Sequence, residues 1–322
     1  MHHVAIFGAA GYTGVELTKL LVQHPGVRIA ALASDHAVGG SVEELTGTLV
    51  GARYVSTEAA LATDIEVACL AVKAETARAI VARLPAGVRV LDLSDAHRHS
   101  AVYGLTSLFA AEVAAAPLVA NPGCYATAVI TALAPLVRRG LVDRHIVVSA
   151  GSGVTGAGRV MTPALMFGEH YGDVRAYKVL RHQHVPEIEA ALGRVAPNHE
   201  APRIALTTHI LPVARGIFAT ITARLVGATT TEELVAILRA DYADDPTVDV
   251  AETADRVSLR SVVGTNHCQL GVMSEGAAGG YVVVTAALDN LLKGAAGQAV
   301  ENLNLMLGFQ RMTGLQHLAR HG

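Results

Sequence analysis

Residues 4–14 read Val4-Ala5-Ile6-Phe7-Gly8-Ala9-Ala10-Gly11-Tyr12-Thr13-Gly14, and a helical apolar pattern continues over residues 15–22. A short apolar strand runs into a glycine turn, and the turn runs into an amphipathic helix. Glycines at 8, 11 and 14 permit a tight turn and close approach of a pyrophosphate, whose charge the amides of the helix start can meet. Tyr12 and Thr13 lie in the same turn. The spacing G-x-x-G-x-x-G is a variant of the dinucleotide fingerprint, and its strand-turn-helix setting is the context that fingerprint requires. The pattern then recurs: residues 27–33, 65–72, 88–93 and 118–121 read as strands and residues 74–84 as a helix. Such alternation predicts an α/β fold, with a mostly parallel, doubly wound sheet of Rossmann type.

Working outward, the 322 residues allow two domains, and 51% hydrophobic against 16% charged residues describes a compact globular chain rather than a disordered one. A net charge of -3 supplies no basic stripe, so nucleic acid is not an expected partner. Three widely separated cysteines form no disulfide framework and suit a reducing compartment. The first strand begins too early for a signal peptide, and no apolar run reaches the ~18 residues of a membrane helix. The expectation is a cytoplasmic protein.

The end of the second strand, Ser34-Asp35-His36, is where a ribose or its 2′-phosphate would be read. Asp35 suits a 2′-hydroxyl, Ser34 and His36 a phosphate, and a plain polar loop is equally compatible. Asp92-Leu93-Ser94 closes another strand at the sheet end where ligands collect, which makes Ser94 and Arg98 candidate cofactor or substrate contacts, with capping as the alternative.

Asn121-Pro122-Gly123-Cys124-Tyr125-Ala126-Thr127 is followed by an apolar run over residues 128–137. The Pro-Gly pair breaks what precedes it, so Cys124 falls at a helix N-terminus, where unpaired amides and the macrodipole favour a thiolate. Cys69 and Cys268 sit inside apolar strand patterns and read as buried, inert thiols.

Beyond Cys124 the pattern changes. Residues 145–150 read as a strand, followed by Gly151-Ser152-Gly153-Val154-Thr155-Gly156-Ala157-Gly158-Arg159, whose amides, hydroxyls and terminal guanidinium suit a phosphate or carboxylate. Residues 177–180 read as a short extended piece. Arg181-His182-Gln183-His184 follows, and a helix opens at Val185-Pro186-Glu187 with Pro186 in its first position. His182, His184 and Glu187 raise three readings: a metal site, for which no nearby Cys completes a ligand set; proton transfer by one histidine; or a structural or substrate-orienting role. No metal is expected. Residues 204–210 and 217–226 read as strands paired through the turn at 211–216. Thr231 reads as the cap of a helix with Glu232 and Glu233 in its first turn. Further strands are expected at 257–263, 267–273 and 281–287, giving an α+β half with a largely antiparallel sheet. A last helix covers 289–307 and is expected to return to the first domain. The domains are accordingly placed at 1–123 with 288–322, and at 124–287.

The Asn-Pro-Gly-Cys-Tyr-x-Thr stretch resembles the active-site signature of the N-acetyl-gamma-glutamyl-phosphate reductases. The segments 8–14, Tyr103-Gly104-Leu105, 152–159, His184-Val185-Pro186-Glu187-Ile188, Leu211-Pro212 with Arg215-Gly216, and 289–298 agree in order, so the likeness spans nearly the whole chain. It implies a fold like glyceraldehyde-phosphate and aspartate-semialdehyde dehydrogenases. It implies NADP-dependent reduction of an acyl phosphate to an aldehyde, with Cys124 as nucleophile, His184 as acid/base and His182 beside it. Asn121, Ser152, Arg159, Glu187 and Arg215 become implied substrate contacts. Gly8, Gly11, Tyr12, Thr13, Gly14, Ser34, Ser94, Arg98, Gly156 and Asn290 become implied cofactor contacts. A homodimer or homotetramer acting on a small acyl phosphate is implied as well. The chain departs from the pattern at Gln183 (usually Arg), at Asp95-Ala96-His97 (commonly Ala-Asp-Phe) and at Thr106-Ser107 (usually Pro-Glu). The alternatives are a sister enzyme reducing a carrier-bound aminoadipyl phosphate, a cysteine hydrolase using Cys124 and His184 without a cofactor, and a non-catalytic dinucleotide-binding protein.

Overall fold

The computed structural model describes residues 1–159, 163, 166–196 and 198–318. The chain divides into two compact units, Met1–Gly123 with Ala295–His317, and Cys124–Gly294 with Leu318.

In the first unit the apolar strands do what their composition dictates. β1 (His2–Phe7), β2 (Val27–Ala33), β3 (Val67–Leu70), β4 (Arg89–Asp92), β5 (Val102–Tyr103) and β6 (Leu118–Ala120) form one parallel sheet in the order β2-β1-β3-β4-β6-β5. The central strands are buried on both faces, which is why they read as continuous apolar runs rather than alternating ones. The strand order turns back at β1, the first strand, which places a ligand crevice at the carboxyl ends of the strands on either side of it. The helix Gly297–Met306 packs on the helices Thr106–Ala115 and Tyr12–Val22. Its buried face is unusually polar: Gln298, Glu301, Asn302 and Asn304 are all inaccessible.

In the second unit β7 (His145–Ser152), β8 (Arg175–Tyr177), β9 (Arg203–Ile210), β10 (Ile217–Arg224), β11 (Val248–Val250), β12 (Cys268–Ser274) and β13 (Tyr281–Leu288) form a mixed, largely antiparallel sheet, ordered β11-β12-β13-β10-β7-β9-β8. Against it lies the helix Cys124–Arg138, in which every residue from Tyr125 to Val137 is buried. Pro135 inside that helix has no amide to offer the Thr131 carbonyl; the Tyr242 hydroxyl donates to that oxygen instead, at 2.6 Å.

Several local expectations are corrected here. The strands at 204–210 and 217–226 do not pair with each other: β7 lies between them, parallel to β9 and antiparallel to β10. Turn residues at 211–216 identify a reversal but not the partner across it. Residues 257–263 are not a strand; two short 3₁₀ turns, Ala254–Arg256 and Leu259–Ser261, occupy the region. The helix cap is Thr230, which forms a reciprocal capping box with Glu233, while the Thr231 hydroxyl accepts from the Ser274 amide. The segment 289–307 is not one helix: a wide turn, Leu292–Ala296, precedes Gly297–Met306. Pro186 is the third residue of the helix His184–Val195, tolerated there because amides of the first turn have no helical partner. Only Arg175–Tyr177 is extended near 177–180, because Lys178 and Leu180 take left-handed backbone conformations.

Candidate functional site

Cys124 is the first residue of its helix and is half-buried. The other two thiols are completely buried, and burial pushes each up to about 12. Gly294 packs directly on the Cys124 side chain: a Cβ at 294 would lie 2.8 Å from the Cys124 Cβ.

Tyr125, next in the chain, is the hub of an aromatic cluster. Its hydroxyl lies 3.0 Å from the Tyr177 hydroxyl, donates to the His209 carbonyl at 3.3 Å and is hydrogen-bonded to Ser152. Its ring meets His182 and His184 edge-on, with centroids 5.3 and 6.0 Å away, and the two imidazoles are 4.6 Å apart. Burial first, then Tyr177 and the charge of Cys124, raise the pKa of Tyr125 far above the ordinary phenol range. Burial likewise raises that of Tyr177. Both phenols are therefore neutral donors beside the thiol. The left-handed residues Lys178 and Leu180 reverse the chain so that the rings of Tyr177 and His182 meet, with centroids 5.9 Å apart.

The two histidines differ in their surroundings. His182 Nδ1 accepts the amide proton of His184 at 3.2 Å, so that nitrogen is an acceptor. His184 Nε2 stands 3.7 Å from the Glu187 carboxylate, one helical turn on, and both side chains are buried. A buried imidazole beside a buried carboxylate is suited to taking and returning a proton. Among the described residues no group of three His, Cys, Asp or Glu side chains could hold a metal ion.

The glycine loop proves more committed than its composition suggests. β7 runs on through Ser152, and Val154–Ala157 is a 3₁₀ turn. The amides of Gly153, Val154 and Thr155 donate to backbone carbonyls of Gly216, Val213 and Ala214, so they are not offered to an anion. Asn290 is buried, accepting from Gly216 and donating to Thr155 Oγ1. Gly156 leaves no room for a side chain, since a Cβ there would stand 2.6 Å from Ser152 Oγ. Arg215 pairs with buried Asp289 at 3.1 Å, and Arg159 is exposed at the end of the loop.

In the first unit the residues before Cys124 are held from two directions. The Asn121 amide donates to the Asp92 carbonyl at 2.7 Å, and the Asn121 carbonyl accepts from Arg98 Nε at 3.2 Å. The Asn121 side chain accepts from Asn302 at 2.9 Å and donates to the Ala295 carbonyl at 3.3 Å.

The glycine turn between β1 and the helix Tyr12–Val22 fits a dinucleotide. Gly8 has φ +83°, and a Cβ there would meet the Ala71 carbonyl oxygen at 2.2 Å; one at Gly14 would meet the Gly8 oxygen at 2.3 Å. No side chain caps the helix that follows. After β2, both oxygens of Asp35 accept from Thr57, its amide at 2.7 Å and its hydroxyl at 2.8 Å. Those bonds, the amide first, lower the Asp35 pKa. Among the described residues the Ser34 hydroxyl has no protein partner, and His36 is exposed.

The chain matches two family descriptions in tandem: the semialdehyde dehydrogenase NAD binding domain over residues 3–116, and the semialdehyde dehydrogenase dimerisation domain over residues 124–290. It belongs to the semialdehyde dehydrogenase family. Family relatives named N-acetyl-gamma-glutamyl-phosphate reductase include one from Bacillus cereus (strain AH187), 36% identical, and one from Desulfotalea psychrophila, 38% identical; each alignment covers 98% of both chains. The fold is shared with a probable aspartate-semialdehyde dehydrogenase of Pseudomonas aeruginosa, at TM-score 0.75 and 21% identity, over 95% of this chain and 98% of that one. It is also shared with aspartate semialdehyde dehydrogenase II of Vibrio cholerae complexed with ASA, at TM-score 0.74 and 18% identity, over 96% of this chain and 98% of that one.

The sequence gives no role to Gly294, Tyr177 or Asn302, and it names Asp92 and His97 without joining them. Tyr125 was at least in view, within the quoted stretch. Asn302 carried no local signal, because an Asn inside a helical pattern looks like an exposed position.

Proposed function

We propose that the chain is a cytoplasmic NADP-dependent reductase of arginine biosynthesis, converting N-acetylglutamyl 5-phosphate to the 5-semialdehyde and phosphate through a thioester on Cys124. The observation that carries the reading is the cluster of His184, Glu187, His182 and Tyr125 gathered at the start of the Cys124 helix. The names of the relatives supply the substrate.

In this reading the Cys124 thiolate attacks the acyl carbon, a C–S bond forms, the C–O bond to phosphate breaks and inorganic phosphate leaves. Amides of the helix start stabilise the oxyanion of that addition. When bound, NADPH supplies the hydride that makes the thioester carbon an aldehyde carbon. Cleavage of the C–S bond then returns Cys124 as thiolate. The one proton consumed overall ends on the departing phosphate, and His184 carries it while Glu187 holds its ring. Ser152, Arg159, His182 and Arg215 serve the substrate's anionic groups, with Asn121 holding the turn. Gly8, Gly11, Tyr12, Thr13 and Gly14 hold the pyrophosphate, with Ser94, Arg98, Gly156 and Asn290 completing the cofactor contacts. Engagement of Asp35 by Thr57 removes the acid that would select a 2′-hydroxyl, and Ser34 is left to a 2′-phosphate, which favours NADP over NAD.

The test is NADPH oxidation with acetylglutamyl phosphate and with carrier-bound aminoadipyl phosphate. Turnover of the first by the wild type, and its loss by on the order of 10³-fold or more in Cys124→Ser with NADPH binding retained, is expected. A Cys124→Ser protein that still reduces NADP with the aldehyde and phosphate overturns the mechanism. Preference for the carrier-bound substrate overturns the assignment.

A further inference from the structure

Beside Ser94 and Arg98, the residues that close β4 include a pair, Asp92 and His97, to which no role above is given. Asp92, the last residue of the strand, is completely buried. Its Oδ1 accepts the Ser94 amide at 2.8 Å and its Oδ2 meets His97 Nδ1 at 2.7 Å. Both oxygens of the carboxylate are thus occupied within six residues, Asp92 to His97. The His97 ring is fixed by that bond, and its side chain is 16% exposed. Its other nitrogen, Nε2, has no protein partner among the described residues. Ser94 is buried and its oxygen accepts the Ala96 amide at 3.0 Å, yet its hydroxyl proton has no protein acceptor among the described residues. Arg98 follows directly, oriented by its bond to the Asn121 carbonyl.

We propose that His97, oriented by Asp92, is an oxyanion-binding residue, acting with Ser94 and Arg98 on a phosphoryl or carboxylate group at the carboxyl end of β4. The inference rests on the dinucleotide reading of the first unit, since it places an anion at the sheet end where that ligand binds. The chemistry is one-sided. Ser94 offers a hydroxyl, Arg98 a guanidinium and His97 an imidazole whose Nε2 donates once protonated, while the buried acceptor among them is already satisfied. Other charged groups near the turn are exposed Asp95 and His99, and Arg78, whose guanidinium reaches the Ala96 carbonyl at 3.4 Å.

The anion has two sources, the cofactor or the substrate, and binding measurements separate them. NADPH is titrated by its fluorescence, and inorganic phosphate by calorimetry in the presence of saturating NADP, in wild type, His97→Phe, His97→Gln and the exposed control His99→Ala. Loss of one charge-assisted hydrogen bond predicts affinity about tenfold weaker in His97→Phe, a smaller loss in His97→Gln and none in the control. Weakened NADPH binding assigns the anion to the cofactor, and weakened phosphate binding alone assigns it to the substrate. Affinities within twofold of wild type for both ligands overturn the proposal. So does a loss that merely follows a large fall in melting temperature in both His97 variants, which makes His97 structural. The NADPH arm needs no turnover: if neither acyl phosphate is reduced but His97→Phe still weakens NADPH, the functional reading falls and this one stands.

Discussion

At the scale of single residues, the geometry of Cys124 depends on an absence. Gly294 leaves the space that the Cys124 side chain fills, and an added methyl there would also press on Leu288 Cδ1 at 3.1 Å. Overpacking of this kind costs ~1–3 kcal/mol, and a displaced nucleophile costs far more in rate than in stability. Gly294→Ala is therefore expected to lower kcat by about 10–100-fold while the melting temperature falls by only a few degrees. Steady-state kinetics beside calorimetry checks it, and a wild-type kcat would sink the idea. The stretch 289–298 is rich in glycine and alanine, a composition that permits close packing. What the glycine packs against was not readable, because the contact partner lies 170 positions away.

At the scale of elements, the helix Gly297–Met306 is anchored by polar bonds as well as by the apolar stripe of Ala299, Val300, Leu303 and Met306. Asn304 Oδ1 pairs with His24 Nε2 at 2.7 Å, while His24 Nδ1 accepts the Gly26 amide at 3.1 Å. Both bonds together require the neutral ring with its proton on Nε2. Burial lowers the His24 pKa, only partly offset by the bond to Asn304. A histidine depressed in the native state binds fewer protons there than in the unfolded chain, so stability rises with pH across this window. Its contribution is complete above the unfolded value near 6.5 and declines as pH falls from there through the lowered native value. Wild type is expected to lose melting temperature between about pH 7 and pH 5, and His24→Asn to show a flatter profile from a lower starting point. Parallel profiles for the two proteins would remove His24 from the account.

At the scale of the whole molecule, the seven-stranded sheet carries an aligned row of partly or largely exposed side chains. Ala205, Val147, Thr222, Val283 and Met273 are aligned across β9, β7, β10, β13 and β12. Val147 is 56% and Met273 46% exposed, on a chain whose other strand residues are mostly buried. An apolar row of this kind marks an association surface, and the match to a dimerisation domain covers the same strands. We infer that association between copies of the chain covers it. Val147→Asp is expected to shift the protein from its oligomer to a smaller species in analytical ultracentrifugation, with the core beneath unaffected. A wild type that sediments as a monomer contradicts the inference.

The sequence by itself determined the first sheet and the position of Cys124, because both are written in neighbours. Strands buried on both faces read as apolar runs, glycines mark the backbone turn, and a Pro-Gly pair before an apolar run marks a helix start. Pairing in the second sheet was decided only by tertiary structure: β9 and β10 adjoin in sequence, yet β7 separates them. Residues 257–263 have strand composition but are not a strand; Val257 and Val262 pack on Ala287 of β13, since burial alone rewards apolar residues in either form. The same holds for the residues that serve the site. Loop 151–159 looked free to bind an anion until its amides were found bonded to 213–216. Asp92 reads as a strand end and His97 as a departure from a pattern, and only the fold turns that carboxylate toward that ring. Polar side chains take their roles from partners, and partners distant in sequence are chosen by the packed chain.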